Sequence, residues 1–433
     1  MGETTRLDIA ALWRRIKASA GAKAFPSQEK PGAASTGNPA GRHRPALLDA
    51  DVRRNDLGTF LVRERFFADG RMNGDIAIAH LRAFQPSWLE GGSEARPPTR
   101  RPRRWAILDT ETTGLAGGTG TCAFLVGVGA AEDDGFRVRQ FFMRDFDEEA
   151  AMLRGLADHL RAFDGMVTYN GRTFDVPLLK TRYRLQRQPH PLDALAHEDL
   201  LFPARRIWSG RLPNCKLQTL ESAVIGAERQ GDVPGALIPR RYFDYLRTGK
   251  SEPLAPVFHH NVLDIVSLAC LGCVLAEAYS AGDRAPLRHG EDLFGLARWL
   301  DKQGDSDQAL KLYRRAVRAG LPPGTRFSSL WESARIERRN GNFEQQIQLL
   351  LDLTKVANMY RAAAFVELAK HYEHRVKDHG RALAMTHKAQ RFTPSDELDH
   401  RERRLLRKIG RAQATMAAAS APATEAGGNR AAP

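Results

Sequence analysis

One stretch of the sequence indicates the fold of this chain: Trp105-Ala-Ile-Leu-Asp109-Thr-Glu111-Thr-Thr-Gly114. A short apolar run that ends at a glycine-containing turn is typical of a buried strand. Asp109 and Glu111 are two residues apart, so on a strand their carboxylates point to the same face. Such neighbours repel each other, and a hard cation such as Mg²⁺ or Mn²⁺ removes the repulsion. The pattern predicts a metal site, although two solvated acids at an exposed strand end have the same sequence.

A second acid follows a later strand. The segment Met166-Val-Thr-Tyr-Asn170-Gly171-Arg-Thr-Phe-Asp175-Val-Pro177 predicts a short strand, an Asn-Gly turn and a helix that begins near Asp175. Pro177 in the first turn agrees with such a helix start. Asp175 is therefore a candidate metal ligand, and a helix N-cap is the alternative role for an acid at this position.

A third acid lies on a late helix. The segment His259-His260-Asn261-Val-Leu-Asp264-Ile-Val-Ser-Leu predicts an amphipathic helix that begins soon after Pro256. Asp264 alone would be interpreted as a solvated or capping acid. Three acidic motifs in this order along the chain favour a common site instead.

The three segments resemble the exonuclease motifs of the DEDD superfamily, whose members have a ribonuclease-H-like fold. The sequence between the motifs is similar to that of the bacterial YprB-type branch, over the stretches that begin at Asp199, Asp232 and Tyr242. The resemblance runs from about Leu57 to Leu275. All four acids of the DEDD set have a match in this chain.

The resemblance implies phosphodiester hydrolysis with two Mg²⁺ or Mn²⁺ ions, held on the order of 4 Å apart. The family places the first acid, here Asp109, as the bridging ligand. Glu111 and Asp264 would complete the shell of one ion, and Asp175 would support the other. One ion would activate a water, and the other would stabilise the leaving 3′ oxygen.

Two adjacent histidines are candidates for the general base. The family places a Tyr or His four or five residues before the last acid, and this chain has His260 and His259 at those positions. On a regular helix His260 shares a face with Asp264, whereas His259 is rotated by roughly 140°. The His-Asn-x-x-Asp pattern of the YprB-type branch favours His260, while the histidine subclass of the superfamily uses the five-residue spacing. An imidazole suits the role because it titrates near neutral pH.

The apolar pattern from Trp105 onward predicts three strands joined by turns, then an alternation of helices and strands. The first strand begins at Trp105, the other two cover 122–130 and 136–144, and a helix near 147–163 precedes a strand at Val167. Three antiparallel strands followed by helices and parallel strands is the ribonuclease-H-like order. We therefore expect an α/β fold, a mixed sheet flanked by helices, over residues 105–283.

The remaining regions differ in composition. Residues 1–49 are basic and rich in Gly, Pro and Ser, which predicts disorder, and the Ala-rich residues 413–433 predict a disordered tail. Residues 50–104 form an N-terminal extension and basic linker, without an interpretable motif, that we expect to pack onto the core.

Residues 288–412 repeat with a period of about 36 residues, close to that of tetratricopeptide repeats. Small and aromatic residues such as Ala309, Tyr313, Ala369 and Tyr372 fall at the positions typical of that helix pair. We therefore expect an all-α tetratricopeptide-like domain with a groove for a protein or peptide partner. A plain helical bundle that caps the nuclease is the alternative.

Charge indicates an anionic partner. The 433 residues carry a net charge of +14, which favours binding to the phosphates of DNA or RNA. Basic residues cluster at 96–104 and 180–187, although such runs are also typical of solvated faces. No apolar run is expected to reach the roughly 18 residues of a membrane span, and four cysteines predict no disulfide framework. We expect a cytoplasmic protein without a membrane partner.

The acids predict a metal-dependent nuclease, and the resemblance to the DEDD superfamily implies a 3′–5′ exonuclease acting on single-stranded ends. A structure-specific or RNA-directed nuclease with the same acids is one alternative. A non-catalytic scaffold that binds nucleic acid and acts through its helical repeats is another. The intact set of acids disfavours the scaffold, because an unused site would be free to lose carboxylates that repel one another.

Overall fold

The computed structural model describes residues 49–84, 104–114 and 120–419, and the chain divides into two compact units. The first unit comprises residues up to Arg205 together with Leu212–Ser280, and the second comprises Arg206–Arg211 and everything from Ala281 onward. The predicted disorder before residue 49, most of the basic run that ends at Arg104, and the predicted tail beyond 419 lie outside the described residues.

A seven-stranded sheet forms the centre of the first unit, in the order β1-β2-β7-β6-β5-β8-β9. The described strands are β1 Ala50–Asn55, β2 Gly58–Ala68, β3 Met72–Asn73, β4 Ile76–Ala77, β5 Trp105–Thr112, β6 Ala123–Glu132, β7 Gly135–Phe142, β8 Gly165–Thr168 and β9 Ala196–Asp199. Strands β1, β2, β7, β6 and β5 pair antiparallel, whereas β8 runs parallel to β5 and β9 parallel to β8. Strands β3 and β4 form a separate ribbon.

Helices flank this sheet. They are α1 Glu149–Leu160, α2 Asp175–Leu185, α3 Leu201–Trp208, α4 Leu217–Leu220, α5 Ile238–Thr248 and α6 Ala255–Ser280. Short 3₁₀ turns cover Ile78–Ala83, Phe146–Glu148, Gly235–Leu237 and Glu252–Leu254, and a π-helical turn covers Glu221–Ile225. The mixed sheet with flanking helices confirms the predicted α/β class.

Strands β1 and β2 were not foreseen from the sequence. They extend the sheet beyond β7, so the segment expected to pack onto the core contributes two strands to it. Strand β1 is an edge strand whose residues from Asp51 to Arg54 are all exposed. Charged edges protect a sheet from pairing with other chains, and they also remove the alternation by which a strand is recognised.

Helix α6 lies very close to the middle of the sheet. A Cβ atom on Gly127 would lie 2.2 Å from Asn261 Oδ1, and one on Gly129 would lie 2.4 Å from Ile265 Cγ2. Glycine inside a strand often marks such a close approach. The two glycines of β6 therefore set the distance between the sheet and the helix that carries Asp264.

The apolar character of α6 corrects one expectation. The helical stretch Glu252–Ser280 is long and apolar enough to cross a membrane by length and composition, contrary to the expectation that no run has this length. However, 67% of its most apolar window is buried, and the buried core helix of a globular protein meets the same criteria. Packing against β6 accounts for its apolar residues.

The second unit is helical throughout its described residues from Ala281 to Ala419. Its helices are α7 Gly290–Lys302, α8 Ser306–Ala319, α9 Pro323–Arg339, α10 Phe343–Thr354, α11 Arg361–His371, α12 His379–Gln390 and α13 Asp396–Ala419. Asp305 and Asp378 cap α8 and α12 by accepting hydrogen bonds from backbone amides of the first turn. Buried residues such as Leu350, Leu368 and Ala389 form its own core. The helical C-terminal region is as predicted, while its assignment to the tetratricopeptide class stays a prediction.

Candidate metal centre

Strand β5 ends in the two predicted acids. Glu111 is buried, with 8% of its surface exposed, and the strand register shifts between Glu111 and Thr112. Such bulges re-aim side chains and are common beside active sites. The end of β5 therefore directs its carboxylates toward α6, the helix that approaches the sheet at Gly127.

Glu111, His260 and Asp264 form the tightest polar group. One potential ligand atom from each lies within 4.8 Å of the other two. His260 Nε2 is 3.4 Å from Asp264 Oδ2. Among the described residues, the buried oxygen Oε1 of Glu111 has no hydrogen-bond partner. A buried carboxylate oxygen without a donor is costly, and a hard cation such as Mg²⁺ or Mn²⁺ satisfies it. The residues fit a divalent cation.

Asp109 and Asp175 complete the acidic surroundings. Burial, followed by repulsion from Asp264 and Asp175, raises the pKa of Asp109 well above its ordinary value. Burial and the neighbouring Asp109 do the same to the pKa of Glu111. Burial raises the pKa of Asp175 to about 6, and a hydrogen bond from Thr110 opposes the rise. The structure thus brings the four predicted acids into one electrostatically coupled cluster.

Asp175 begins α2 without serving as its N-cap. Phe174 occupies the cap position, and no side chain caps this helix. The Asp175 carboxylate instead accepts a hydrogen bond from the Thr110 hydroxyl on β5. The capping alternative for Asp175 is therefore wrong, and its side chain faces the strand of Asp109 and Glu111.

Asp199 orders the turn before α2. Its carboxylate accepts hydrogen bonds from the amides of Asn170 at 2.7 Å and Arg172 at 3.0 Å. Asn170 has a left-handed backbone, with φ 64°, which asparagine tolerates better than most residues. The first acid of the stretch Asp199-Leu-Leu-Phe thus has a structural role.

Asn261 ties α6 to β5 and was missed from the sequence. Its Nδ2 donates to Asp109 Oδ2 at 2.8 Å, and its Oδ1 accepts from Gln140 Nε2 at 2.9 Å. Gln140 also donates to the Phe258 carbonyl at 2.8 Å. Both amide side chains are fully buried. The sequence did offer one signal, Gln140 next to the apolar Phe141 and Phe142 at the end of β7. A buried polar side chain there is rare unless it is hydrogen-bonded, which points to a polar partner such as Asn261.

Arg229 is a second missed residue. Its guanidinium donates to Asp264 Oδ1, to Asp232 Oδ2 at 3.0 Å, and to Glu221 Oε2. Its side chain is only 10% exposed. The positive charge compensates two carboxylates close to it in sequence, Glu221 and Asp232, and also Asp264 of the candidate metal centre, which is 35 positions away. No local sequence pattern around Arg229 predicts that it contacts Asp264.

The structure separates the two candidate histidines. His260 is buried, and its Nδ1 lies 2.6 Å from Asp232 Oδ1, so its Nε2 is directed toward Asp264. His259 is exposed, and its Nε2 lies 3.1 Å from the Gln230 carbonyl. Only His260 belongs to the tight group with Glu111.

Comparison with known proteins identifies relatives of this chain. The family model described as RNase_H superfamily matches residues 106–275. The uncharacterized protein YprB of Bacillus subtilis (strain 168) is 32% identical over 327 residues, which cover 75% of this chain and 78% of YprB. A family B DNA polymerase from the hyperthermophilic archaeon Pyrobaculum calidifontis is similar at a TM-score of 0.32 and 16% identity, over 49% of this chain and 30% of the polymerase. The chain belongs to the family of YprB, and it carries a domain of the RNase H superfamily.

Proposed function

We propose that the protein is a metal-dependent nuclease of the DEDD type, a 3′–5′ exonuclease that hydrolyses single-stranded ends. The observation that carries the proposal is the convergence of Glu111, His260 and Asp264 beside Asp109 and Asp175. Clusters of buried carboxylates with raised pKa values are typical of functional sites. The 3′–5′ polarity is supported by the resemblance of the motifs to that superfamily.

The acids would hold two Mg²⁺ or Mn²⁺ ions. Asp109 would bridge them, Glu111 and Asp264 would complete one shell, and Asp175 would support the other. Bound cations supply a water nucleophile at neutral pH and stabilise charge on the phosphate and the leaving oxygen. Asn261 would keep Asp109 in its rotamer, since ligands held by outer hydrogen bonds are better oriented.

His260 would accept the proton of the attacking water at Nε2. Asp232 accepts a hydrogen bond from Nδ1, which assigns the tautomer that leaves Nε2 free to accept a proton. Asp232 is therefore a positioning residue for His260. His259, which points elsewhere, would have another role.

We also propose that the second unit is a tetratricopeptide-like domain that binds a protein or peptide. Consecutive helices contact each other as pairs, α7 with α8, α9 with α10 and α11 with α12. Left-handed residues occur in the turn of each pair, at Gly304, Gly341 and Lys377. Recurrence of one turn geometry at a near-constant spacing supports a repeat architecture.

The nuclease proposal is tested with 5′-labelled single-stranded DNA and RNA in Mg²⁺, Mn²⁺ or EDTA. We expect a ladder that shortens from the 3′ end, disappears in EDTA and is absent with Asp109→Asn. Asp158→Asn, which removes an exposed acid on α1, serves as the matched control and should leave the ladder unchanged. Discrete internal products would contradict the exonuclease, and absence of cleavage under every metal would contradict the nuclease.

A further inference from the structure

Strand β2 and the turn after it form a basic cavity beside the metal centre. The cavity has a volume of about 380 Å³. Its wall includes Arg63, Arg65, Phe66, Phe67, Arg71 and, from α6, His259. Arg63, Arg65 and Phe67 alternate along β2 and therefore face the same side of the sheet. The register pairs Arg63 with Gln140, and Gln140 bonds to α6, so this side is the one that α6 covers.

The arginines of this cavity have little compensation from acids: Asp49 acts on Arg63 without forming an ion pair. Among the residues that the structure describes, Arg63, Arg65 and Arg71 form no ion pair with a carboxylate, and the buried Arg63 Nε has no hydrogen-bond partner. On the opposite side of the same strand, Glu64 pairs with Arg137 and with Arg139, the latter at 2.9 Å. One side of β2 is therefore neutralised internally, and the other presents three positive charges that attract an anion.

Aromatic rings accompany the charges. Arg71 lies over the half-buried Phe67 ring, with 5.1 Å to its centroid. Phe66 also lines the cavity and is 39% exposed, but it belongs to the Glu64 side of β2, where Arg137 lies over its ring at 5.0 Å. An accessible aromatic ring beside arginines is characteristic of surfaces on which nucleic-acid bases stack while phosphates meet the cations. An acidic peptide would use the charges and would not need the Phe67 ring.

The cavity adjoins the metal centre along α6. His259 and Leu263 line the cavity, and the next residues, His260 and Asp264, belong to the centre. Adjacent Cα atoms are 3.8 Å apart. A strand whose terminal phosphate lies at the acids therefore has its neighbouring nucleotides within reach of β2.

We propose that this β2 cavity binds the single-stranded segment of the substrate next to the scissile phosphate, with Arg65 and Arg71 on phosphates and Phe67 against a base. This assignment rests on the proposed nuclease function for its biological meaning, although binding itself is measured without cleavage. It also gives His259 a role as a substrate contact.

The test measures anisotropy of labelled oligo-dT and oligo-U with the full-length protein in EDTA across a salt series. The variant Arg65→Ala/Arg71→Ala removes two exposed cavity arginines. The control Arg240→Ala/Arg247→Ala removes two charges from arginines of α5 whose side chains are 80% and 76% exposed. We expect the cavity variant to bind at least tenfold more weakly, and its log–log salt slope to become shallower by about 1.4 for two lost phosphate contacts. The control should change affinity less than twofold.

The outcomes separate this inference from the nuclease proposal. Equal affinities of the cavity variant and the control, or no binding of either oligonucleotide by the parent, would overturn the inference. Binding that depends on Arg65 and Arg71 without cleavage in Mn²⁺ would support the inference and contradict the nuclease. Cleavage by the parent with unchanged KM in the cavity variant would support the nuclease and contradict the inference.

Discussion

Asn261 Nδ2 donates a hydrogen bond to Asp109 Oδ2 at 2.8 Å, and this bond joins the late helix α6 to strand β5, which carries two of the candidate metal ligands. The Asn261 amide is itself held by Gln140. A chain of two buried amides therefore determines the rotamer of the acid that we propose as the bridging ligand.

We predict that Asn261→Ala lowers cleavage about 10–100-fold, the range seen when partners of metal ligands are removed. Gln140 keeps the Phe258 carbonyl as an acceptor, so the free energy of unfolding should fall by only about 1–3 kcal/mol. Initial rates and urea denaturation measure the two effects. Asn340→Ala, at the exposed end of α9, is the control, and an equal loss of activity there would contradict the role of Asn261.

Stability without metal should depend on pH through the acid cluster. The pKa of Asp175 rises from 3.8 to about 6 in the folded protein, and those of Asp109 and Glu111 rise in the same direction. A raised carboxyl pKa stabilises the fold fully below the unfolded pKa, and this stabilisation is lost as pH rises through the folded pKa.

We therefore expect the metal-free free energy of unfolding to fall between about pH 4 and pH 7, by on the order of 2 kcal/mol from Asp175 alone. Mg²⁺ should oppose the loss, so the difference between Mg²⁺ and EDTA should grow with pH. Thermal denaturation at pH 5 and pH 7.5 measures this difference. Asp109→Asn should reduce it, and a difference independent of pH would argue against a cation among these acids.

The two histidines should differ in kinetic effect. His260→Asn removes the proposed general base and should lower kcat by about 10²–10⁴-fold. His259 lies in the β2 cavity, so the effect of His259→Asn should fall on KM. Steady-state kinetics on a labelled oligonucleotide distinguishes them, and a larger loss of kcat from His259→Asn would reverse the assignment.

Arg229 should matter most in the absence of metal. Arg229→Met leaves the buried Glu221 and the neighbouring Asp264 without their counter-charge. Removing one partner of a buried ion pair costs roughly 3 kcal/mol or more. We expect a lower melting temperature in EDTA and a larger gain on adding Mg²⁺ than in the parent. Arg247→Met, on the exposed face of α5, should alter neither value.

Gly127 should tolerate no side chain. The Cβ of Gly127→Ala would meet Asn261 and Ile265, both at 2.2 Å, and would push α6 away from β5. Overpacking of this kind costs typically about 1–3 kcal/mol, and displacement of Asp264 should also lower cleavage. Gly120→Ala meets no atom within 4 Å and is the control. Wild-type activity in Gly127→Ala would show that the helix position is not critical.

Local patterns were sufficient for much of the fold. The apolar runs of β5 and β6, each bounded by turn residues, predict strands buried on both faces. The acids were identified by their spacing and by the resemblance of their motifs. Strand β1 was not predicted, because its exposed charged residues leave no apolar face that marks a strand.

Local sequence patterns were therefore sufficient to predict the order of the elements and the acids at their ends. Only the tertiary structure decided which residues surround those acids. Asn261 reaches Asp109 across 152 positions of sequence, and Arg229 reaches Asp264 across 35. Such contacts depend on how closely α6 packs on the sheet at Gly127, a distance that no local periodicity encodes. The choice of His260 over His259 depends on the same packing, since burial beside Asp232 is a property of the folded chain.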